Sequence, residues 1–134
     1  MNGYTVKNLR TDVEDSAVKG GLSPDLEAHF ASTPLGLTQS GVSYQRFAPG
    51  FRAPFGHKHG SQEELYVLVS GSGRLKLDDD VVELKQWDAV RIDKDTMRNF
   101  EAGDDGAELL AFGAPAVGPG DADMSQGWWD SQQD

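Results

Sequence analysis

Residues 56–71 read GHKHGSQEELYVLVSG, and they combine two histidines, two glutamates and an apolar run that ends in glycine. The chain has three histidines in 134 residues, and two of them lie one residue apart in this stretch. Side chains alternate between the two faces of an extended backbone, so His57 and His59 point to one side while Lys58 points to the other. The spacing therefore predicts two imidazoles that converge on one point.

The apolar run after the histidines predicts a strand that begins with an acidic residue. On this strand Glu64 and Tyr66 share a face, and residues 60–62 supply a turn that brings Glu64 beside the histidines. A histidine pair alone is common on surface loops, but two imidazoles with a carboxylate are a standard ligand set for a divalent metal such as Fe, Mn, Zn, Ni or Cu. We therefore predict a metal site at His57, His59 and Glu64.

Short segments rich in Val, Leu, Tyr and Phe recur from residue 42 onward, at intervals of about ten residues. Glycine, aspartate or proline separates them, which is typical of antiparallel β structure, and we predict turns at 71–73, 78–80 and 104–106. With up to two more strands from the N-terminal arm, they indicate a sandwich or a closed barrel. The predicted strands cover residues 42–47, 64–69, 73–77, 81–84, 89–92, 99–101 and 108–112.

Composition divides the chain into an arm, a core and a tail. Residues 1–41 form the arm, in which a serine-proline pair followed by acidic residues predicts a short helix over 24–31. Residues 42–114 contain the predicted strands and form the core. Residues 115–134 are rich in Gly, Pro and Asp, which predicts a tail.

The predicted tail contains two adjacent tryptophans, Trp128 and Trp129. A tryptophan side chain buries a large apolar area, so leaving this pair fully in water would be costly. We therefore expect the pair to dock in a groove of the same chain or on a second subunit.

The charge balance excludes two classes of partner. The chain has 12 basic and 22 acidic residues, for a net charge of -10, so its long-range field repels nucleic-acid backbones and anionic lipid surfaces. It has no cysteine, which excludes disulfides and thiolate metal sites. No basic region followed by an apolar segment opens the sequence, and no apolar stretch approaches the roughly 18 residues of a membrane span. We expect a soluble, cytoplasmic protein with no nucleic-acid or membrane partner.

The histidine stretch resembles the first motif of the cupins, a family of small antiparallel β-barrels. That motif runs G, five residues, H-x-H, three or four residues, E, six residues and G. In this chain four residues separate His59 from Glu64, and six separate Glu64 from Gly71. The first glycine of the motif corresponds to Gly50, which stands six residues before His57 rather than five.

The second cupin motif runs G, five residues, P-x-G, two residues, H, three residues and N. It falls on WDAVRIDKDTMRNFEA, residues 87–102, where none of its letters is kept although the order of strand, turn and strand is. Family members with a metal hold it with the first-motif ligands and a second-motif histidine. That histidine position is Arg98 here, and a guanidinium has no lone pair with which to ligate a metal.

The resemblance covers about residues 42–112 and implies an all-β fold: a single-domain, cupin-like antiparallel β-barrel of the jelly-roll type, preceded by the short N-terminal helix. Barrels of this family often pair through edge strands or exchanged arms. The resemblance therefore implies a homodimer, which a monomer mass in a sizing measurement would contradict.

The arginine leaves the function open between alternatives. In one, His57, His59 and Glu64 hold a divalent metal with open positions, and Arg98 and Tyr66 contact a small organic acid or sugar-like ligand, with oxygenase or isomerase chemistry. In the other, Arg98 pairs with Glu64 or with an anionic ligand in a metal-free binding or sensory module, because opposite charges about 4 Å apart at a dielectric near 20 attract by about 4 kcal/mol. A third alternative is an interaction scaffold with a filled interior, in which Tyr66 is an ordinary core residue.

Overall fold

A computed structural model describes residues 3–113 and 122–131, in which strands predominate. No helix in these ranges combines the length and the apolar character that crossing a bilayer requires. In chain order the elements are α1 (Ser16–Lys19), β1 (Leu26–Phe30), α2 (Ser32–Leu35), β2 (Gly41–Phe47), β3 (Phe55–His59), β4 (Glu64–Leu77), β5 (Asp80–Lys85), β6 (Ala89–Ile92), β7 (Arg98–Gly113), β8 (Ala122–Gln126) and α3 (Trp128–Ser131).

The two longest strands, β4 and β7, pair antiparallel along nearly their whole length, and we refer to them as the spine. The outer edge of β4 pairs first with β6 and then with β5. The outer edge of β7 pairs with β3 near its start and with β2 near its end, while β8 extends β3 and β1 extends β2. The result is a curled antiparallel sheet whose two halves share the spine, which confirms the predicted all-β barrel.

Both spine strands bend at glycines that the sequence pattern assigned to turns. The pairing of β4 with β7 shifts on both sides of Gly71, which has a φ of 82°, and Gly106 on the facing strand has a φ of 74°. The turns predicted at 71–73 and 104–106 are therefore wrong, because the ladder continues through both places as a bulge that bends the strands. The turn predicted at 78–80 is present between β4 and β5.

The helix predicted over 24–31 is also wrong, because this segment forms β1 and pairs with β2. Alternating burial along β1 places Leu26 and Ala28 in the core. Pairing with β2 therefore outweighs the local helix-start signal.

His29 is buried in this strand, with Nδ1 2.8 Å from the carbonyl oxygen of Val13 and Nε2 2.7 Å from Glu27 Oε2. It is a packing residue, and the two short helices of the arm flank β1.

Part of the predicted tail is structured. Strand β8 lies beside β3, and α3 follows it with Trp129 only 2% exposed, so this tryptophan docks on the same chain as its area predicts. The remaining parts of the predicted tail, 115–121 and 132–134, lie outside the described residues.

The core fills the space between the two halves of the sheet. Alternation along β4 directs Tyr66 and Leu68 inward, with Glu64 at the start of the same face, as predicted. The large buried side chains that surround this face are aromatic or aliphatic. They include Phe47, Leu75, Leu84, Ile92, Phe100 and Leu109.

The close approach of the two spine strands predicts a large effect of one methyl group. A Cβ at Gly71 would lie 2.0 Å from the carbonyl oxygen of Gly106. The backbone of Gly71 is also left-handed, a conformation that is strained for any residue with a Cβ. We expect Gly71→Ala to lower the free energy of unfolding, measured by urea denaturation, by more than the about 1–2 kcal/mol that this strain alone costs. Gly50→Ala is the matched control, since Gly50 has a φ of 72° and no atom within 4 Å of the added methyl. Equal losses in the two variants would contradict the close packing.

Candidate metal centre

The curl of the barrel brings together residues from opposite ends of the spine. Along the ladder, Glu64 at the start of β4 pairs with Gly113, whereas Arg98 at the start of β7 pairs with Leu77. Nevertheless Arg98 Nη2 lies 3.9 Å from Glu64 Oε1. The site therefore exists only because the two halves of the sheet fold onto each other.

Strand β3 supplies the two histidines. His57 lies directly opposite Arg98 on β7, and directly opposed residues of antiparallel neighbours place their side chains on the same face. The far end of β3 is held by a 2.8 Å hydrogen bond that the His59 amide donates to the carbonyl oxygen of Lys94. The two imidazole rings are nearly perpendicular, with centroids 5.1 Å apart. The rings converge as the sequence spacing predicts.

The three predicted ligands meet at one carboxylate oxygen. Glu64 Oε1 lies 3.2 Å from His59 Nε2 and 3.5 Å from His57 Nε2, and one ligand atom of each residue falls within 4.8 Å of the others. Glu64 Oε1 is also buried without a hydrogen-bond partner in the described part of the chain. Because such a buried oxygen is costly to leave unsatisfied, it marks a place for a cation or another donor.

The ionisation of Glu64 also suits a metal ligand. Burial alone would raise the pKa of its carboxyl group, but the imidazoles of His57 and His59 outweigh burial and lower the pKa to about 2. The carboxylate is therefore charged over the range in which proteins are ordinarily folded. A carboxylate must be deprotonated to bind a metal, so this condition is met without a pH change.

Arg98 lies beside the three ligands, with its side chain only 1% exposed. Its guanidinium donates from Nη1 to the carbonyl oxygen of His57 at 3.4 Å and from Nη2 to that of Asp93 at 3.2 Å. Its Nε is buried and has no hydrogen-bond acceptor within residues 3–113 and 122–131. The 3.9 Å separation from Glu64 is longer than a hydrogen bond, so Arg98 adds a fixed positive charge without closing a hydrogen-bonded pair with the carboxylate.

Tyr66 lies below Glu64 on the inward face of β4. Burial is the main cause that raises the pKa of its hydroxyl, and the Glu64 carboxylate raises it further. The hydroxyl is therefore protonated and can donate a hydrogen bond. Tyr66 is both a core residue and a neighbour of the candidate site.

Two contributions to the site escaped prediction. The backbone of the 93–97 loop, at the degenerate second motif, provides the carbonyl groups that hold Arg98 and His59. Strand β8 pairs with the histidine strand, although composition alone indicated a tail there. The one sequence signal for this docking was the tryptophan pair that follows β8.

Backbone geometry supports the alignment with the degenerate motif. Trp87 has a φ of 74°, in the left-handed region that favours glycine, and it stands where the second motif begins with glycine. Gly50 and Gly71, at the two ends of the first motif, also have positive φ angles. The backbone conformation is thus retained at Trp87 although the letter has changed.

Comparison with known proteins agrees with this geometry. Residues 43–113 match the family model described as "Cupin domain". Among solved structures, the chain is similar to a cupin protein from Bacteroides fragilis, with a TM-score of 0.70 and 26% identity over 87% of this chain and 88% of that one. No match was found among curated proteins.

Two more distant structures show the same fold. One is Pac13 from Streptomyces, described as a nucleoside dehydratase, with a TM-score of 0.63 and 16% identity over 76% of this chain and 79% of that one. The other is a variant of oxalate decarboxylase from Bacillus subtilis, with a TM-score of 0.69 and 18% identity over 85% of this chain and 31% of that one. At these identities the likeness concerns the fold alone.

The lowered pKa of Glu64 predicts how stability depends on pH. Its ordinary value is 4.5 and its value in the folded protein is about 2, so the stabilisation by the ionised carboxylate is present above pH 4.5 and is lost as pH falls towards 2. In metal-free buffer, we expect wild type to exceed Glu64→Gln in free energy of unfolding by about 2–3 kcal/mol at neutral pH, with the gap closing over this window. Urea denaturation at a series of pH values measures it.

The control for this experiment is the neighbouring acid. The Glu63 side chain is 67% exposed, so Glu63→Gln should differ little from wild type at any pH. A gap for Glu64→Gln that stays constant between pH 4.5 and about 2 would show that the imidazoles do not hold the carboxylate.

Proposed function

This chain belongs to the cupin family, and from that premise we propose that it binds a divalent first-row transition metal through His57, His59 and Glu64. We further propose that a small organic acid or sugar-like ligand binds beside the metal. The observation that supports this most directly is the convergence of the three side chains on Oε1 of Glu64, which is buried and accepts no hydrogen bond from the described residues.

The spacing of the donor atoms supports a common ion. Ligand atoms about 2.1 Å from a metal lie about 3.0–3.4 Å apart at angles between octahedral and tetrahedral. The distances from Glu64 Oε1 to the two Nε2 atoms are 3.2 and 3.5 Å, close to that range. Three protein ligands also leave positions open, at which a bound metal would act as a Lewis acid or, if iron(II), support oxygen chemistry.

Arg98 favours a ligand with a carboxylate. Its buried Nε is a donor without an acceptor in the described residues, and its charge is held in place by two backbone carbonyl groups. A ligand carboxylate would supply both the missing acceptor and the opposite charge. The hydroxyl of Tyr66 offers a second donor nearby. These residues would bind and orient the ligand, while the apolar core beneath them excludes water.

Two of the structural neighbours are described as acting on compounds of these two classes. Oxalate is a small organic acid, and a nucleoside contains a sugar. Among the two classes, the arginine in this chain supports the acid. Oxygenase-like and isomerase-like reactions on that ligand are the activities we propose to assay first.

The alternative is a metal-free binding or sensory module, and the position of Arg98 supports it. The guanidinium is buried where the family motif has its last metal ligand, and it lies within ion-pair distance of Glu64. Against this alternative, Glu64 Oε1 is closer to both imidazoles than to the guanidinium, and the hydrogen bonds of Arg98 go to backbone carbonyl groups. The geometry therefore favours the metal.

Metal content decides between the two functions. Protein purified without chelator should contain about one equivalent of Mn, Fe, Co, Ni, Cu or Zn by elemental analysis, because sites of this kind bind tightly. His59→Ala should lose this metal, whereas Lys58→Ala, which changes the neighbouring side chain on the opposite face of β3, should keep it. Less than about a tenth of an equivalent in wild type would count against a metal site.

Substitutions of Arg98 test its role separately. Arg98→His adds the ligand that the family motif has at this position, so we expect slower loss of metal to a chelator. Arg98→Lys, the control, keeps the charge and adds no such ligand, so its loss of metal should not be slower.

Titration with oxalate supplies a second measurement. Our proposal predicts that Arg98→Ala and His57→Ala both bind oxalate more weakly than wild type. The metal-free module predicts weaker oxalate binding for Arg98→Ala alone.

A further inference from the structure

The histidine strand has few attachments to the rest of the barrel. Strand β3 meets the spine at the single pair His57 and Arg98, supplemented by the hydrogen bond from the His59 amide to Lys94. By contrast, β3 pairs with β8 at five positions, from Phe55 opposite Gln126 to His59 opposite Ala122. Most of the ladder that fixes this strand therefore comes from the C-terminal segment.

The residues after β8 pack on β3, on the face opposite the histidine side chains. Gly56 precedes His57, and a Cβ built on it would lie 2.7 Å from Cε3 of Trp128. The indole of Trp128 therefore rests directly on the backbone of β3, on the side opposite the histidine rings. Lys76, on the spine, also contacts this indole, with Nζ 4.8 Å from the centroid of the Trp128 ring.

Trp129 anchors the segment to the barrel. It is 2% exposed, and the guanidinium carbons of Arg52 and Arg74 lie 4.2 and 5.3 Å from the centroid of its ring. Glu101 on the spine accepts hydrogen bonds from both arginines, at 2.9 Å from Arg52 Nε and 2.5 Å from Arg74 Nη2. Cation–π contacts that are shielded from water stabilise such an arrangement.

We propose that residues 122–131, which we call the C-terminal clamp, support the metal centre by holding β3 in position. Trp128 and Trp129 are then positioning residues, which fix the backbone from which His57 and His59 project. This inference rests on the proposed function for the metal itself. Supporting groups around a metal site commonly change its affinity by about 10- to 100-fold when removed.

The test compares Co²⁺ binding by full-length variants, followed through the visible absorption of the bound ion. Trp128→Ala should weaken binding about 10-fold or more, and Trp128→Phe, which keeps a flat ring over Gly56, should restore most of the affinity. Trp87→Ala is the matched control, because Trp87 is 68% exposed and lies in the loop between β5 and β6. It should bind Co²⁺ as wild type does.

A second control separates support of the site from general destabilisation. Leu84→Ala removes a buried core side chain from β5, which pairs with β4 alone among the described strands, so it should destabilise the fold away from β3. The folded variant should bind Co²⁺ with unchanged affinity at a temperature well below its unfolding transition. Wild-type affinity in Trp128→Ala would overturn the clamp, and so would an equal loss in Leu84→Ala. If Trp128→Ala does not fold, Gly56→Ala displaces the same indole and replaces it in the comparison.

Amide hydrogen exchange distinguishes failure of the clamp from failure of the metal site. If wild type does not bind Co²⁺, the proposed function fails, and exchange in metal-free protein decides the clamp alone. The amides of β3, that of His59 in particular, should then exchange faster in Trp128→Ala than in Trp87→Ala. Equal exchange rates in the two variants would overturn the clamp.

Discussion

The continuous ladder between β4 and β7 is the constraint on which the site depends. Glu64 and Arg98 begin these two strands and lie at opposite ends of the ladder, yet their side chains meet within 3.9 Å. This requires the ladder to bend, and the bend occurs where Gly71 and Gly106 approach each other so closely that a Cβ on Gly71 would collide with the backbone of Gly106. A packing requirement in the middle of the barrel thus determines whether charges at its end come together.

The outer strands add further side chains to the site that the spine forms. Strand β3 adds the histidines on the β7 side, and its position depends on a segment that comes last in the chain. The ligand set therefore combines a local feature, the short spacing between His57 and Glu64, with contacts between distant parts of the sequence. Local spacing selects the residues, while the long-range contacts set the distances between their donor atoms.

This division explains which features could be predicted from the sequence. The inward face of β4 and the convergence of His57 with His59 follow from the alternation of a strand, a property of a few neighbouring residues. The helix predicted over 24–31 failed because pairing with β2 outweighed a local start signal. The glycine-rich segment at 71–73 indicated a chain reversal, but whether such a segment reverses the chain or bends a continuous strand depends on the partner strand.

The same limit applies to the C-terminal segment and to Arg98. The low aliphatic content of residues 115–134 indicated a tail, whereas the contacts of Trp129 with two arginines from elsewhere in the chain show why residues 122–131 pack on the barrel. For Arg98, the motif identified the position but not the direction of the side chain. Its burial and its hydrogen bonds to backbone carbonyl groups supply that direction.

The arginine changes the electrostatics of the site in a way that bears on ligand choice. A divalent ion bound to one carboxylate would give the site a net charge of +1. The guanidinium of Arg98 would raise this net charge to +2, whereas a neutral histidine at the same position would leave it at +1. The chain as a whole has a net charge of -10, so its distant field repels anions. Dissolved salt at physiological concentration screens that field beyond roughly 8–10 Å, but it screens buried charges much less. If the proposed metal is bound, it and the buried guanidinium together would attract an anionic ligand at close range, and more strongly than a neutral one.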